Sequence, residues 1–174
     1  DSKALVNDLL MNLTNLSSLL IPVNKYGKNI SENLKRIDQV YASTDCLIVF
    51  PAGMVSRKQN GTIKDLQWKK SVITQAIKHK HDIIPIYIDA RNSNFFYNLG
   101  VIRKKMRIKV NIEMFYLVDE VYKQKGKTIH LTIGKPIPYT TFTKEFKSQE
   151  WADKLKEHVY GLPTGSNQLI NEKS

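Results

Sequence analysis

A single cysteine is all that the sequence contains, so no internal disulfide and no cysteine zinc cluster can form. That residue, Cys46, lies within an apolar run and is expected to pack as a small buried hydrophobe, not to act as a nucleophile. A reducing, cytoplasmic setting fits this usage. Long apolar runs are missing too. The longest, Cys46-Leu47-Ile48-Val49-Phe50, stops at Pro51, far short of the roughly 18 to 20 residues a membrane-spanning helix needs. There are no internal repeats and no low-complexity blocks, and the first residues show no basic-then-apolar leader.

Positive charge is what the chain has in excess: 27 Lys and Arg against 16 Asp and Glu give a net +11. Its 174 residues suit one domain with a sizeable core, and 41% apolar with 25% charged residues is an ordinary globular profile. Such a charge attracts polyanions, either nucleic acid or the anionic face of a bilayer. The sequence holds no Arg/Gly-rich tract, zinc-finger spacing or basic-aromatic sheet motif that would mark a nucleic-acid partner. Charge alone leaves both open.

Apolar periodicity predicts strands alternating with helices. Residues 4–6 form a strand end, and because the chain enters it almost directly from Asp1, continuation upstream is expected. Asn7 and Asp8 cap a helix to about residue 17, with Leu9, Leu10, Leu13 and Leu16 on one face. Residues 19–23 form a short strand whose Pro22 places it near an edge or an end, and residues 24–27 turn the chain. Asn29 and Glu32 make a capping box for a helix to about residue 41 that buries Ile30, Leu34, Ile37 and Tyr41. The unbroken apolarity of residues 46–50 predicts a central strand. A loop over 51–65 follows, then a helix over 68–80 with Val72, Ile73, Ala76 and Ile77 inward. Residues 83–88 form another buried strand, and residues 93–106 a helix. Residues 111–123 fit either helix or strand, a helix from Val118 being favoured. Residues 128–133 alternate as a strand, and residues 147–160 form a last amphipathic helix. Residues 1–162 are thus expected to form an α/β domain with a mixed, mostly parallel central sheet flanked by helices, and residues 163–174 a flexible polar tail.

Chemistry concentrates after the strand at residues 46–50. There the chain runs Phe50-Pro51-Ala52-Gly53 and then presents Ser56 and Arg57. Ligands of α/β sheets bind just beyond the carboxyl ends of strands. Gly53 lets the backbone approach a ligand, and Arg57 can grip a phosphate through two hydrogen bonds. A plain loop with a solvated Arg is the alternative.

These residues resemble the Phe-Pro-Glu-Gly-Thr-x-Ser block of lysophospholipid and glycerolipid acyltransferases, in the Phe-Pro-Ala-Gly-x-Val-Ser-Arg form of bacterial members labelled hemolysins. Ile21-Pro22-Val23-Asn24-Lys25 resembles that family's second block, Lys25 standing for an Arg, and Ile84-Pro85-Ile86-Tyr87 resembles the fourth. Gly134-Lys135-Pro136-Ile137 resembles the Gly-x-Pro-Ile element after the family's late strand. The likeness covers roughly residues 4 to 138. Two departures stand out. Ala52 replaces the usual Glu, and none of His79, His81, His130 or His158 begins the family's His-x-x-x-x-Asp block, which by order would precede Asp1. No residue of this chain is therefore expected to be catalytic, and residues 1–174 alone are expected to be inactive.

The resemblance implies transfer of a fatty acyl group from acyl-coenzyme A or acyl-carrier protein to a hydroxyl or amine of a lipid precursor, with no metal or redox cofactor. It implies three partners: a lipid acceptor, an acyl carrier and the anionic inner face of a membrane, with nucleic acid set aside. Lys25, Phe50, Pro51, Gly53, Ser56, Arg57 and Arg91 would bind the substrate or carrier phosphate. The rival is a non-catalytic module on the same fold that binds anionic lipid or nucleic acid.

The remaining features have bland readings. His79-Lys80-His81-Asp82 fits a polar helix end better than a metal site. Near Arg91, Ser93 is a helix cap in one reading, while Arg91 contacts a head group in the other. Phe95, Phe96 and Tyr97 read as core, with an acyl channel as the alternative. Arg103, Lys104, Lys105, Arg107 and Lys109 read as a solvated cationic face, with lipid contact as the alternative, and Asp119-Glu120 reads as solvated.

Overall fold

The computed structural model describes residues 2–6, 15, 18–22 and 30–165. The expected helix at residues 7–17, apart from Asn15, falls outside the described residues, as do the turn at 24–27 and the tail from residue 166.

Strand β1 (Ser2–Val6) lies between β2 (Leu20–Pro22) and β3 (Cys46–Ile48), parallel to both. Helix α1 (Ile30–Tyr41) connects β2 to β3, half-burying Ile37 and burying Tyr41. The side chains of Ile30 and Leu34 lie outside the description. The strand predicted as central, β3, is an edge strand among the described residues, so Cys46 and Ile48 are exposed instead of buried. A continuous apolar run marks a strand but does not say whether both faces are covered.

The expected loop at 51–65 contains a hairpin, β4 (Arg57–Gln59) paired antiparallel with β5 (Thr62–Lys64). Asn60 and Gly61 take φ of +49° and +82°, the left-handed pair that a tight two-residue hairpin turn requires. Helix α2 (Ser71–His79) buries Ile73 and Ala76 and leaves Ile77 exposed, against expectation.

Strand β6 (Ile86–Asp89) pairs antiparallel with β7 (His130–Ile133), and between them come α3 (Asn94–Lys105), a 3-10 turn (Ile112–Tyr116) and α4 (Leu117–Tyr122). Ile86 and Ile88, opposite Ile133 and Leu131, form an exposed aliphatic face. Burial of this segment on both faces, the expectation from its apolarity, does not hold. The described strands thus form three small sheets, one parallel and two antiparallel, in place of a single mostly parallel one.

The main core lies elsewhere. Helix α5 (Ser148–Gly161) turns Trp151, Ala152, Leu155 and Val159 inward at helical spacing, against Trp68, Ile73, Phe142 and Ile137. The Ile84-Pro85 and Gly134-Lys135-Pro136-Ile137 blocks meet here. Ile83 and Ile137 exchange two backbone hydrogen bonds at 2.9 and 2.8 Å, and the Gly134 N–H donates to the Pro85 carbonyl at 2.9 Å. A methyl group on Gly134 would lie 2.8 Å from both Leu162 Cδ2 and Pro85 Cγ. Gly134→Ala is therefore expected to cost about 1–3 kcal/mol through overpacking, measured by denaturant melts.

Candidate functional site

Beyond β3 the chain turns at residues 50–53, where the Gly53 N–H donates to the Phe50 carbonyl at 2.9 Å and Gly53 adopts φ +64°. Pro51 presets the second position of this turn, and its carbonyl accepts from the Lys69 N–H at 3.1 Å, tying the turn to the approach of α2. Phe50 is exposed. Ala52 points the other way, into the core beside Trp68 and Trp151. A carboxylate carried at this position would enter that core, so the Glu common in the family has no ready place here.

The Ser56 hydroxyl donates to Asp65 Oδ1 at 2.6 Å, and Asp65 Oδ2 accepts from Trp68 Nε1 at 3.0 Å. The Asp65 N–H donates to the Tyr160 hydroxyl at 2.9 Å, while Lys156 Nζ donates to the Asp65 and Leu66 carbonyls at 2.8 and 3.0 Å. Burial raises the Tyr160 phenol above its ordinary value. Asp65 is thus the hub that anchors Ser56 to α5, a role its plain loop context concealed.

Arg57 is only 3% exposed and does not face solvent. Its guanidinium donates to the Val55 and Ser56 carbonyls at 3.0 and 3.3 Å, lies 3.4 Å from Glu113 Oε1 and sits 5.4 Å from the Phe96 ring centre. Arg103 Nε lies 2.8 Å from Glu113 Oε2. The Glu113 carboxylate, 0% exposed, is compensated by two cations, although neither of its oxygens has an aligned hydrogen bond. Burial lowers the Arg57 pKa, Glu113 pulls it back up and Arg103 pushes it down. Arg103, expected on a solvated face, is buried because α3 turns it inward with Phe96 and Gly100.

Strand alternation sends Lys58 outward where Arg57 goes inward. Lys58 Nζ donates to Asn98 Oδ1 at 3.1 Å and lines an open groove of about 460 Å³ with Gly61, Thr62, Arg91, Asn94 and Tyr97. Arg91 is exposed and donates to Asn94 Oδ1 at 2.6 Å. It also borders a second open depression, about 430 Å³, with Ser93, Glu120, Lys123 and Lys127. The structure therefore joins Arg91 to Lys58, and neither depression is lined by the turn at 50–53. Lys25 lies outside the described residues.

Ser93 caps α3, its Oγ accepting from the Phe96 N–H at 3.2 Å. Its own N–H and hydroxyl donate to Glu120 at 2.5 and 2.7 Å, and Lys123 Nζ lies 3.0 Å from the same carboxylate. Glu120, expected to be solvated, is 1% exposed because this cap encloses it. Burial pushes the Glu120 pKa up, but the Ser93 donors and Lys123 outweigh it and hold the pKa below the ordinary 4.5. Its stabilising contribution is complete above the unfolded value and lost as pH falls through the lower folded one. Glu120→Gln is expected to melt below the parent at neutral pH, with the gap closing as pH falls below the ordinary carboxylate value and through the lower folded one, as read by thermal melts across pH.

The histidine cluster is engaged at helix ends. His79 Nε2 lies 3.0 Å from Asp38 Oδ1, which Lys78 also contacts, and His81 Nε2 lies 2.5 Å from the Tyr41 carbonyl. Of the aromatic trio, Phe96 and Tyr97 are buried and Phe95 is exposed.

The chain belongs to the acyltransferase family, whose sequence model matches residues 1–166. It is 48% identical over 160 residues to the lyso-glycine lipid O-acyltransferase of Bacteroides thetaiotaomicron, covering 92% of this chain and 59% of that protein. It is 49% identical over 158 residues to the protein of the same name from Phocaeicola vulgatus, covering 91% of this chain and 57% of that protein. The chain thus spans less than two thirds of these relatives' length. No solved structure matches it. Among the described residues, no helix is long and apolar enough to cross a membrane.

Proposed function

We propose that the protein carrying this chain transfers a fatty acyl group from a thioester carrier, coenzyme A or acyl-carrier protein, to the hydroxyl of a lyso-glycine lipid at an anionic membrane face. The 48% identity over 92% of the chain carries this reading. In the reaction the acceptor oxygen attacks the thioester carbonyl, the carbon–sulfur bond breaks, and the carrier thiol leaves with the proton taken from the acceptor. The base would be the histidine of a His-x-x-x-x-Asp block, placed by the family's order before Asp1. No metal or redox cofactor takes part in this scheme.

This chain would supply binding. Phe50, Pro51 and Gly53 shape the turn, while Ser56 and Arg57 brace it from within. Lys58 and Arg91 offer the exposed charge of the adjoining groove to the phosphate of the carrier or the anionic head of the acceptor. Lys25 belongs to this set through the resemblance. Lys58→Glu with Arg91→Glu, in the longer protein, is expected to raise KM about tenfold or more with kcat little changed, the pattern of lost ground-state binding. An unchanged KM for both substrates would remove the groove from the scheme.

A further inference from the structure

The stretch from the end of α3 through α4 carries its apolar side chains outward. Met106, Val110, Phe115, Val118, Val121 and Tyr122 are each between 62 and 77% exposed. Phe115, Val118 and Tyr122 recur at helical spacing along the 3-10 turn and α4, so they share one side of this rod. Phe95 of α3 extends the surface, its ring stacking edge-on against Tyr116 at 5.1 Å. Single exposed apolar residues are ordinary, but a run of large ones on one element marks a surface made to be covered.

Charge says by what. Exposed Lys104, Lys105, Arg107 and Lys109 surround Met106 ahead of the 3-10 turn, and exposed Lys125 and Lys127 follow α4. The acids within the apolar run do not offset them. Glu113 and Glu120 are buried and paired, and Asp119 is held by Lys123 at 2.5 Å. An apolar and aromatic strip bracketed by cations fits a layer with acyl chains below and negative head groups above.

We infer that residues 106–122 form an interfacial docking surface that lays Phe115, Val118 and Tyr122 into an anionic bilayer, with the flanking lysines and arginines at head-group level. This deepens the membrane-face part of the proposed function and does not depend on acyl transfer. The surface would set the protein down beside Arg91, whose second depression is also lined by Lys123 and Lys127.

Sedimentation with vesicles of phosphatidylglycerol and phosphatidylcholine tests it directly. Phe115→Ser with Tyr122→Ser is expected to lower partitioning at least about tenfold at both low and high salt. Lys109→Glu with Lys125→Glu is expected to lower it at low salt only, because ions screen the head-group attraction. These side chains are exposed, so both variants should melt like the parent. Parent-like partitioning of the serine variant overturns the proposal. So does a dimeric parent that the serine variant turns monomeric with vesicle binding intact, since the strip would then be a contact between copies. Transfer to detergent-dispersed acceptor by the longer protein reports on the proposed activity alone, so failure of either reading is seen separately.

Discussion

Glutamine in place of Glu113 is expected to cost about 3–5 kcal/mol, the range for removing one partner from a buried ion cluster. In a chain of this size that is a fall of about 10 °C or more in melting temperature. The carboxylate lies 2.8 Å from Arg103 and 3.4 Å from Arg57 with essentially no exposure, so its loss leaves two guanidinium groups buried together and facing no anion. Neither can shed its proton to escape the penalty. The control is to remove all three charges. Arg57→Met, Arg103→Met and Glu113→Met together should be near neutral, because well-packed apolar groups can replace a buried ion cluster without loss. An E113Q protein that melts within a degree or two of the parent would show that water reaches the cluster and that the burial argument is wrong.

The second large effect is catalytic. Residues 1–174 alone are expected to show no acyl transfer above background, because none of their four histidines begins a His-x-x-x-x-Asp block. A positioned general base contributes about 10²- to 10⁴-fold, and this chain holds neither the expected base nor its orienting Asp. His79 is held beside Asp38 at a helix end, and His158 is buried in α5, where burial lowers its pKa. Turnover by residues 1–174 at the rate of the longer protein would overturn the carry-over of the dyad.

Helices α1, α2, α3 and α5 were legible in the sequence because apolar positions at helical spacing are a local signal, as is the Ser93 cap of α3, while Asn29 of the capping box expected for α1 lies outside the described residues. The strands outside the hairpin were legible as strands, but their burial was not. The apolar runs at Cys46–Ile48 and Ile86–Asp89 look alike whether one face or two are covered, and that depends on distant pairing. The hairpin at residues 57–64 had its signal in plain view, since Asn60-Gly61 favours the left-handed turn that it adopts. Reading that turn would have placed Arg57 and Lys58 on opposite faces. The cation able to meet a ligand in the groove is then Lys58, while Arg57 belongs to the interior. Glu113 and Asp65 carried no local mark. Each matters because the fold brings it against groups far away in the chain, Arg57 for one and Tyr160 for the other.

The most direct test of the account is to mix the longer protein with a lyso-glycine lipid and an acyl thioester, then follow the products by mass spectrometry. With either acyl-coenzyme A or acyl-carrier protein as donor, the account predicts an ester at the acceptor hydroxyl, one free thiol released per ester formed, and loss of both when the upstream histidine is replaced by alanine. Retention of lyso-lipid binding without ester or thiol release from either donor would contradict it and leave the chain as a lipid-binding member of the acyltransferase family.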